Sequence, residues 1–400
     1  MTQLLSERVA RLQNPRLADF EIAQEAKRRE AAGQQILNLT LGDSDQDTAP
    51  QIIATAVEAL QSGRTHYTPI GGIEPLRALV AQQQAAQDGH SWSPNNVVVG
   101  PGAQNALFSA LMCLCGPGDE VVSLDPVYAT YQGAVNATGA ELKTIPIQMA
   151  DGPRLRAEDI ENALSPRTRV LLINSPNNPA GLVLTAQDVA LLCKVAKAHD
   201  LWIVSDEVYR DLTFDSPHIP FAEADAKRLV ILNSLSKSHA MTGWRLGWAV
   251  CPDNLADAMR NLAMCSLFGS PPFIQDAAIT ALELGDGPVH AMRDLMQSRC
   301  RIFSAALQKA RGLRLIAPEA GMFALVDISG LGLSSTEFAA RLLDEESVAV
   351  IPGTAFSDNG HSYIRVSFSE GEETLQAAAA AIRNFSERCL AASAAPELEQ

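Results

Sequence analysis

Four hundred residues with 47% apolar side chains and no long polar tract suffice for two or three domains around a large core, and exclude a disordered chain. A formal charge of −15 argues against a nucleic-acid or anionic-membrane surface as partner, since both need clustered Lys and Arg. Seven cysteines, odd in number and irregularly spaced (Cys113, Cys115, Cys193, Cys251, Cys265, Cys300 and Cys389), read as reduced thiols packed in the core. Cys113 and Cys115 have no second pair to complete a zinc site, so no metal is expected.

The N-terminus carries charges throughout and no apolar h-region, and no later stretch reaches the ~18–20 apolar residues of a membrane span; a cytoplasmic protein is expected. Residues 1–35 read as an arm and a helix, with residues 19–29 charged on one face and Gly33 closing the segment. A strand over 36–41 ends at Gly42, and Asp43, Asp45 and Asp47 follow. A helix over 51–62 leads to the turn Tyr67-Thr68-Pro69-Ile70-Gly71-Gly72 and a further helix. The strand 96–100 runs into Gly100-Pro101-Gly102-Ala103-Gln104 and a helix ending at Leu114. A glycine turn that opens a helix presents free N–H groups and the positive end of the dipole, which suits a phosphate. The turn lacks Gly-Lys-Ser/Thr, and no GxGxxG precedes an acid ~20 residues on, so neither a Walker loop nor a dinucleotide fingerprint is present.

From there strands and helices alternate. A strand over 118–124 leads to Asp125-Pro126-Val127-Tyr128; a helix (130–137), a strand (140–145) and a helix (157–164) follow. The apolar strand 170–173 ends in Asn174-Ser175-Pro176-Asn177-Asn178-Pro179-Ala180-Gly181. So dense a cluster of turn formers marks a loop at a strand's C-terminal edge, where α/β sheets bind ligands. After a helix over 186–199, the strand from Leu201 ends at Asp206, with Tyr209 three residues on. An aspartate there stays ionised only beside a cation, because unpaired burial raises its pKa.

The strand ending at Leu232 delivers Ser234, Ser236 and Ser238 around Lys237, and Arg245 follows between Trp244 and a Leu246-Gly247-Trp248 turn. A lysine amine becomes a nucleophile when desolvation or nearby cations lower its pKa, and hydroxyls with an arginine suit a phosphate. Residues 268–275 read as breaking a helix and facing a partner subunit. A long helix over 289–310 opens a change to α+β order: a strand at 321–327, a helix at 335–345, a strand at 348–351 and a last strand holding Arg365. An arginine among β-branched residues is either an edge-strand charge or a buried fork for a carboxylate. The chain from Ala391 reads as a frayed tail.

The pattern S-x-S-K followed by G-x-R-x-G, with Asn178, Asp206 and Tyr209 ahead of it, resembles that of the class I/II aminotransferases, fold-type I enzymes of pyridoxal 5'-phosphate (PLP). The resemblance covers nearly the whole chain. It implies an α/β fold-type I transferase: a large domain with a doubly wound, mostly parallel sheet plus a small α+β domain. Residues 1–48 would form an arm and part of the small domain, 49–288 the large PLP-binding domain and 289–400 the C-terminal small domain. The alternation between 96 and 250 itself implies the doubly wound sheet.

Carried over residue by residue, Lys237 is the Schiff-base lysine and the general base at the substrate Cα. Asp206 keeps the ring protonated, Asn178 and Tyr209 reach its phenolic oxygen, and Tyr128 stacks on it, with Tyr131 the alternative. Gly102, Ala103, Gln104, Ser234 and Arg245 hold the phosphate, joined across a homodimer interface by Tyr67. Arg365, Asn178 and the Gly42 amide bind the substrate. Ser44 and Gln46 depart from the family's usual Pro and Phe, and Ser266 stands where the dicarboxylate-specific branch has an arginine. The runs AHDLWIVSDEVY, LNSLSKSHAMTGWRLGW and GSPPFIQDAA are similar to those of arginine–pyruvate aminotransferases. That likeness implies a ping-pong aminotransferase taking arginine or another basic amino acid as donor and pyruvate as acceptor. The alternatives are an aminotransferase for aromatic or aliphatic amino acids, or a PLP lyase or cyclase on the same fold. A PLP-binding regulator would need a basic helix-turn-helix, for which the N-terminal arm is too short.

Overall fold

A strand without polar residues has to be covered on both faces. The computed structural model, which describes residues 6–12, 14–149 and 154–394, builds its main layer from strands whose middles are largely apolar and buried. After a two-residue strand, β1 (Leu37–Asn38), come β2 (Val97–Gly100), β3 (Glu120–Asp125), β4 (Glu141–Pro146), β5 (Thr168–Asn174), β6 (Trp202–Asp206), β7 (Leu229–Ser234) and β8 (Gly247–Val250). The last seven form one sheet in the order β2-β8-β7-β6-β5-β3-β4, parallel except for β8, which runs against both neighbours. Because side chains alternate along a strand, Leu171 and Ile173 of β5 enter one core while Val170 and Leu172 enter the other. In β7 Leu229 and Ile231 join the first core, and Val230 and Leu232 the second.

The expected turn at Leu246-Gly247-Trp248 is instead the start of β8. It pairs on both sides, Ser234 facing Gly247 and Gly100 facing Gly247 across the two ladders. Gly247 serves close packing there: a Cβ on it would lie 2.6 Å from the Ala103 nitrogen.

A second sheet is antiparallel, in the order β12-β13-β10-β9, where β9 is Arg314–Leu315, β10 Phe323–Asp327, β12 Ile351–Pro352 and β13 Tyr363–Ser367. It shares a separate core with the helices Asp286–Leu307 and Glu372–Ala394. Met292, Met296 and Phe303 of the first and Leu375, Ile382 and Phe385 of the second recur at helical spacing and are buried. The latter helix carries through Ala391, where a frayed tail was expected; residues 395–400 lie outside the described part.

The strand expected over 36–41 shrinks to β1, paired in parallel with β11 (Val348–Ala349). Its remainder serves β13 and its flank instead of a ladder. The Ser367 amide donates to the Leu39 carbonyl at 2.9 Å, and Ser369 Oγ donates to the Leu41 carbonyl at 2.9 Å. The helix break after 266 is present, with Phe268 in the left-handed region (φ 60°) between the helices Asp253–Ser266 and Pro272–Glu283. All seven cysteines are free thiols. Cys265 is exposed, so core packing does not account for every one of them. Among the described residues, no helix is long and apolar enough to cross a membrane.

Candidate active site

Parallel strands bring their C-terminal ends to one edge, and the chemistry-bearing residues collect there. Asn174 ends β5 opposite Asp206, which ends β6, and β7 ends beside them at Ser234. Together with Lys237, Arg245 and Arg365 they line a cavity of about 260 Å3. The Asn178 amide donates to Asn174 Oδ1 at 2.8 Å, which pins the asparagine-rich turn to the end of the sheet.

Lys237 leaves the loop after β7 and donates through Nζ to the carbonyl of Gly42. Burial lowers its pKa to about 8, with Arg365 and Arg245 acting in the same direction and Asp43 opposing them. Near neutral pH on the order of a tenth of such an amine is unprotonated, enough for it to act as nucleophile or base. Asp206 shows the opposite case of the same rule: burial pushes it up to about 6. Tyr131, fully buried, donates its phenol to Asp206 Oδ2 at 2.5 Å, and the Val208 amide donates to Oδ1 at 3.3 Å. Among the described residues no cation lies within ion-pair distance of Asp206.

Beside the lysine, Gly102 caps the twelve-residue helix Ala103–Leu114 with φ 87°, a conformation open to glycine. Arg245, itself left-handed at φ 54°, donates to the carbonyls of Thr242 (2.7 Å) and Pro101 (3.2 Å). A Cβ added at Gly102 would stand 2.7 Å from Arg245 Nη2, so the missing side chain brings helix N-terminus and guanidinium together. That is a cradle for a phosphate.

On the opposite wall, Arg365 of β13 is buried, and its guanidinium donates to the Thr40 carbonyl and, at 3.3 Å, to Asn178 Oδ1. Its Nε is buried without a partner. Burial lowers its pKa to about 10, and among the described residues no carboxylate lies within ion-pair distance. Asn178 also donates to the Tyr209 phenol at 3.4 Å, tying the arginine wall to the sheet edge. Such a fork, charged and lacking a counter-ion, suits a carboxylate ligand.

The chain matches the family described as aminotransferase class I and II over residues 34–382. The chain belongs to the class I and II aminotransferases. It is 42% identical to the arginine–pyruvate transaminase of Pseudomonas aeruginosa over 363 residues, 90% of this chain and 92% of that protein. It is 32% identical to an aspartate aminotransferase of Geobacillus stearothermophilus, over 96% of this chain and 99% of the relative. Among solved structures, the aspartate aminotransferase from Thermus thermophilus with maleate superposes with a TM-score of 0.90 at 30% identity, covering 96% of this chain and 100% of that one. The protein is therefore a PLP-dependent aminotransferase of fold type I, with amino acids and 2-oxo acids as substrates.

Its residues fit that cofactor: a lysine of lowered pKa, a phosphate cradle that a Cβ would fill, and a buried carboxylate lacking a cation. Bound PLP supplies the electron sink that draws charge from the substrate Cα. Tyr128 faces the same cavity, its ring edge-on to Tyr131 at 5.6 Å, and burial raises both phenols, as it does Tyr209.

The structure brings together Gly42, Ala103, Gln104, Tyr128, Asn178, Asp206, Tyr209, Ser234, Lys237, Arg245 and Arg365 on this cavity, with Gly102 in its cradle. Tyr67 is elsewhere: 86% exposed, on the outer surface, edge-on to Phe268 at 5.1 Å. Ser266 ends its helix on the surface and bonds to the Leu262 carbonyl. Sequence reasoning weighed Tyr131 only as a stacking ring and missed its bond to Asp206. The available signal was its place one helical turn beyond Tyr128. Thr40, Phe323 and Phe356 were missed as well, because the long-range packing that sets them around Arg365 cannot be read locally.

Proposed function

We propose that the preferred donor is arginine or another basic amino acid, with pyruvate as acceptor in a ping-pong cycle. The observation that carries this reading is the charge at the cavity. Its cations, Lys237, Arg245 and Arg365, have other work, and Ser266 adds none for a second carboxylate. Asp43 stands exposed at the mouth, held by Thr242 at 2.7 Å with no cation in ion-pair distance among the described residues. The 42% identity to an arginine–pyruvate transaminase supports it. Of the three acids expected at the entrance, Asp45 is removed from consideration, because it pairs with buried Arg299 at 2.7 Å. Asp47 and Gln46 line a neighbouring surface pocket with Asp43. A donor scan with pyruvate tests the reading: arginine or lysine gives a higher kcat/KM than aspartate with 2-oxoglutarate, and added salt erodes the preference. Leucine or phenylalanine outrunning arginine would remove the basic-substrate assignment and leave the aminotransferase standing.

In the reaction, Lys237 would hold the cofactor and move the proton at the substrate Cα, Asp206 would take the ring nitrogen, and Asn178 with Tyr209 the phenolic oxygen. Tyr128 covers a ring face. Gly102, Ala103, Gln104, Ser234 and Arg245 would hold the phosphate, and Arg365 with the Gly42 amide would hold the substrate carboxylate. Tyr131 then acts through Asp206 by favouring its ionised form. Tyr131→Phe weakens PLP about tenfold, roughly 1.4 kcal/mol, in equilibrium dialysis. An unchanged Kd would separate Tyr131 from cofactor binding.

Residues 1–48 and 289–400 belong together in this reading, supported by the core that Leu39 shares with the second sheet. So does a homodimer: Ile53, Val57 and Leu60 form an exposed stripe on the helix Pro50–Gln61, and Tyr67 and Phe268 are exposed beyond it. Burying that face lets Tyr67 of one protomer complete its partner's phosphate cradle. The free thiols suit a reducing, cytoplasmic setting.

A further inference from the structure

A buried guanidinium that must await an anion needs compensation that does not occupy its N–H edge. Three rings surround Arg365. Its guanidinium carbon lies 4.1 Å from the Phe323 centroid, 4.8 Å from Phe356 and 5.8 Å from Phe20. Phe356 is fully buried, and Phe20 meets it edge-on at 5.8 Å, so the rings brace one another. Register explains the closest of them. Arg365 of β13 pairs with Leu325 of β10, so Phe323, two residues earlier, is its diagonal neighbour on the same face. Gly42 makes room, since a Cβ there would fall 2.2 Å from Phe323 Cζ. Phe323 also lies edge-on to Tyr209 at 6.2 Å.

We propose that Phe323 and Phe356 are positioning residues whose π faces stand in for a counter-ion, holding charged Arg365 with its N–H edge turned to the cavity for an incoming carboxylate. The inference rests on the reading of Arg365 as the carboxylate clamp. A ring face attracts a cation without occupying its N–H donors, so those not given to Thr40 and Asn178 stay open, whereas an aspartate would compete with the substrate. Without that hold, the guanidinium turns to other nearby acceptors and has to be reoriented at each binding event, which raises KM and leaves kcat alone.

The test places 2-fluoro- and 2,6-difluorophenylalanine at position 323, which weaken the quadrupole at nearly constant shape, beside 2-methylphenylalanine, bulkier but electron-rich. KM for all amino acids and 2-oxo acids rises stepwise with fluorine, about fivefold by the difluoro ring, with kcat unchanged and the methyl ring near wild type. A flat fluorine series, or an equal rise with methyl, overturns the proposal. Arg365→Ala run in parallel separates the two readings: if it leaves KM unchanged the clamp itself is wrong, and if it is crippled while the fluorine series is flat only the role of the rings is wrong. A tyrosine at 323 is unsuitable, because its hydroxyl would meet Gly42.

Discussion

Lys237→Ala lowers kcat at least about 10³-fold with every donor, because on the proposed assignment the substitution removes both the covalent hold on the cofactor and the base that serves the substrate Cα. The loss is chemical and not a failure to fold. An amine whose pKa falls from 10.5 to about 8 on burial is strained when charged. Its contribution to stability is therefore present above its unfolded pKa and lost as pH falls through about 8. Near neutral pH the alanine variant melts no lower than the apo wild type. Thermal denaturation beside steady-state kinetics checks both halves, and wild-type turnover by the variant would contradict the assignment.

Arg365→Ala weakens all α-amino acid donors and 2-oxo acids alike, by about 2–5 kcal/mol or roughly 30- to 5000-fold in kcat/KM. The size follows from burial, since a charged fork with neutral acceptors in Thr40 and Asn178 and, among the described residues, no carboxylate in ion-pair distance gains its counter-ion only from the ligand. The uniformity follows from the group proposed for the fork, a carboxylate common to every substrate. Arg365→Lys does not restore it, because an ammonium cannot reproduce two parallel N–H donors. Donors differing among themselves by more than about tenfold, roughly 1.4 kcal/mol, would place Arg365 in the side-chain pocket instead.

Strand-end chemistry was legible in the sequence. An apolar run followed by turn formers fixes where a strand stops, and in a parallel sheet stopping places share one edge; the family resemblance then named Asn178, Asp206, Ser234 and Lys237 among the residues at that edge. What depends on pairing between distant segments was not. Gly247 looked like a turn because two ladders, to β2 and β7, decide that it begins a strand. Leu39 to Leu41 looked like strand because nothing local shows that their carbonyls answer Ser367, Arg365 and Ser369. Phe323 reads as one core aromatic among others until the register of β10 on β13 sets it against Arg365. Asp45 was counted as a free charge because its partner Arg299 lies 254 residues away.

The most direct measurement is the site of covalent attachment. Purified protein saturated with PLP is reduced with borohydride, digested and mapped by mass spectrometry. The account predicts the pyridoxyl adduct on the peptide holding Lys237, and its disappearance when arginine alone converts the cofactor to its amine form before reduction. An adduct on Lys194, Lys197 or another lysine, or one indifferent to prior amino acid, would contradict it.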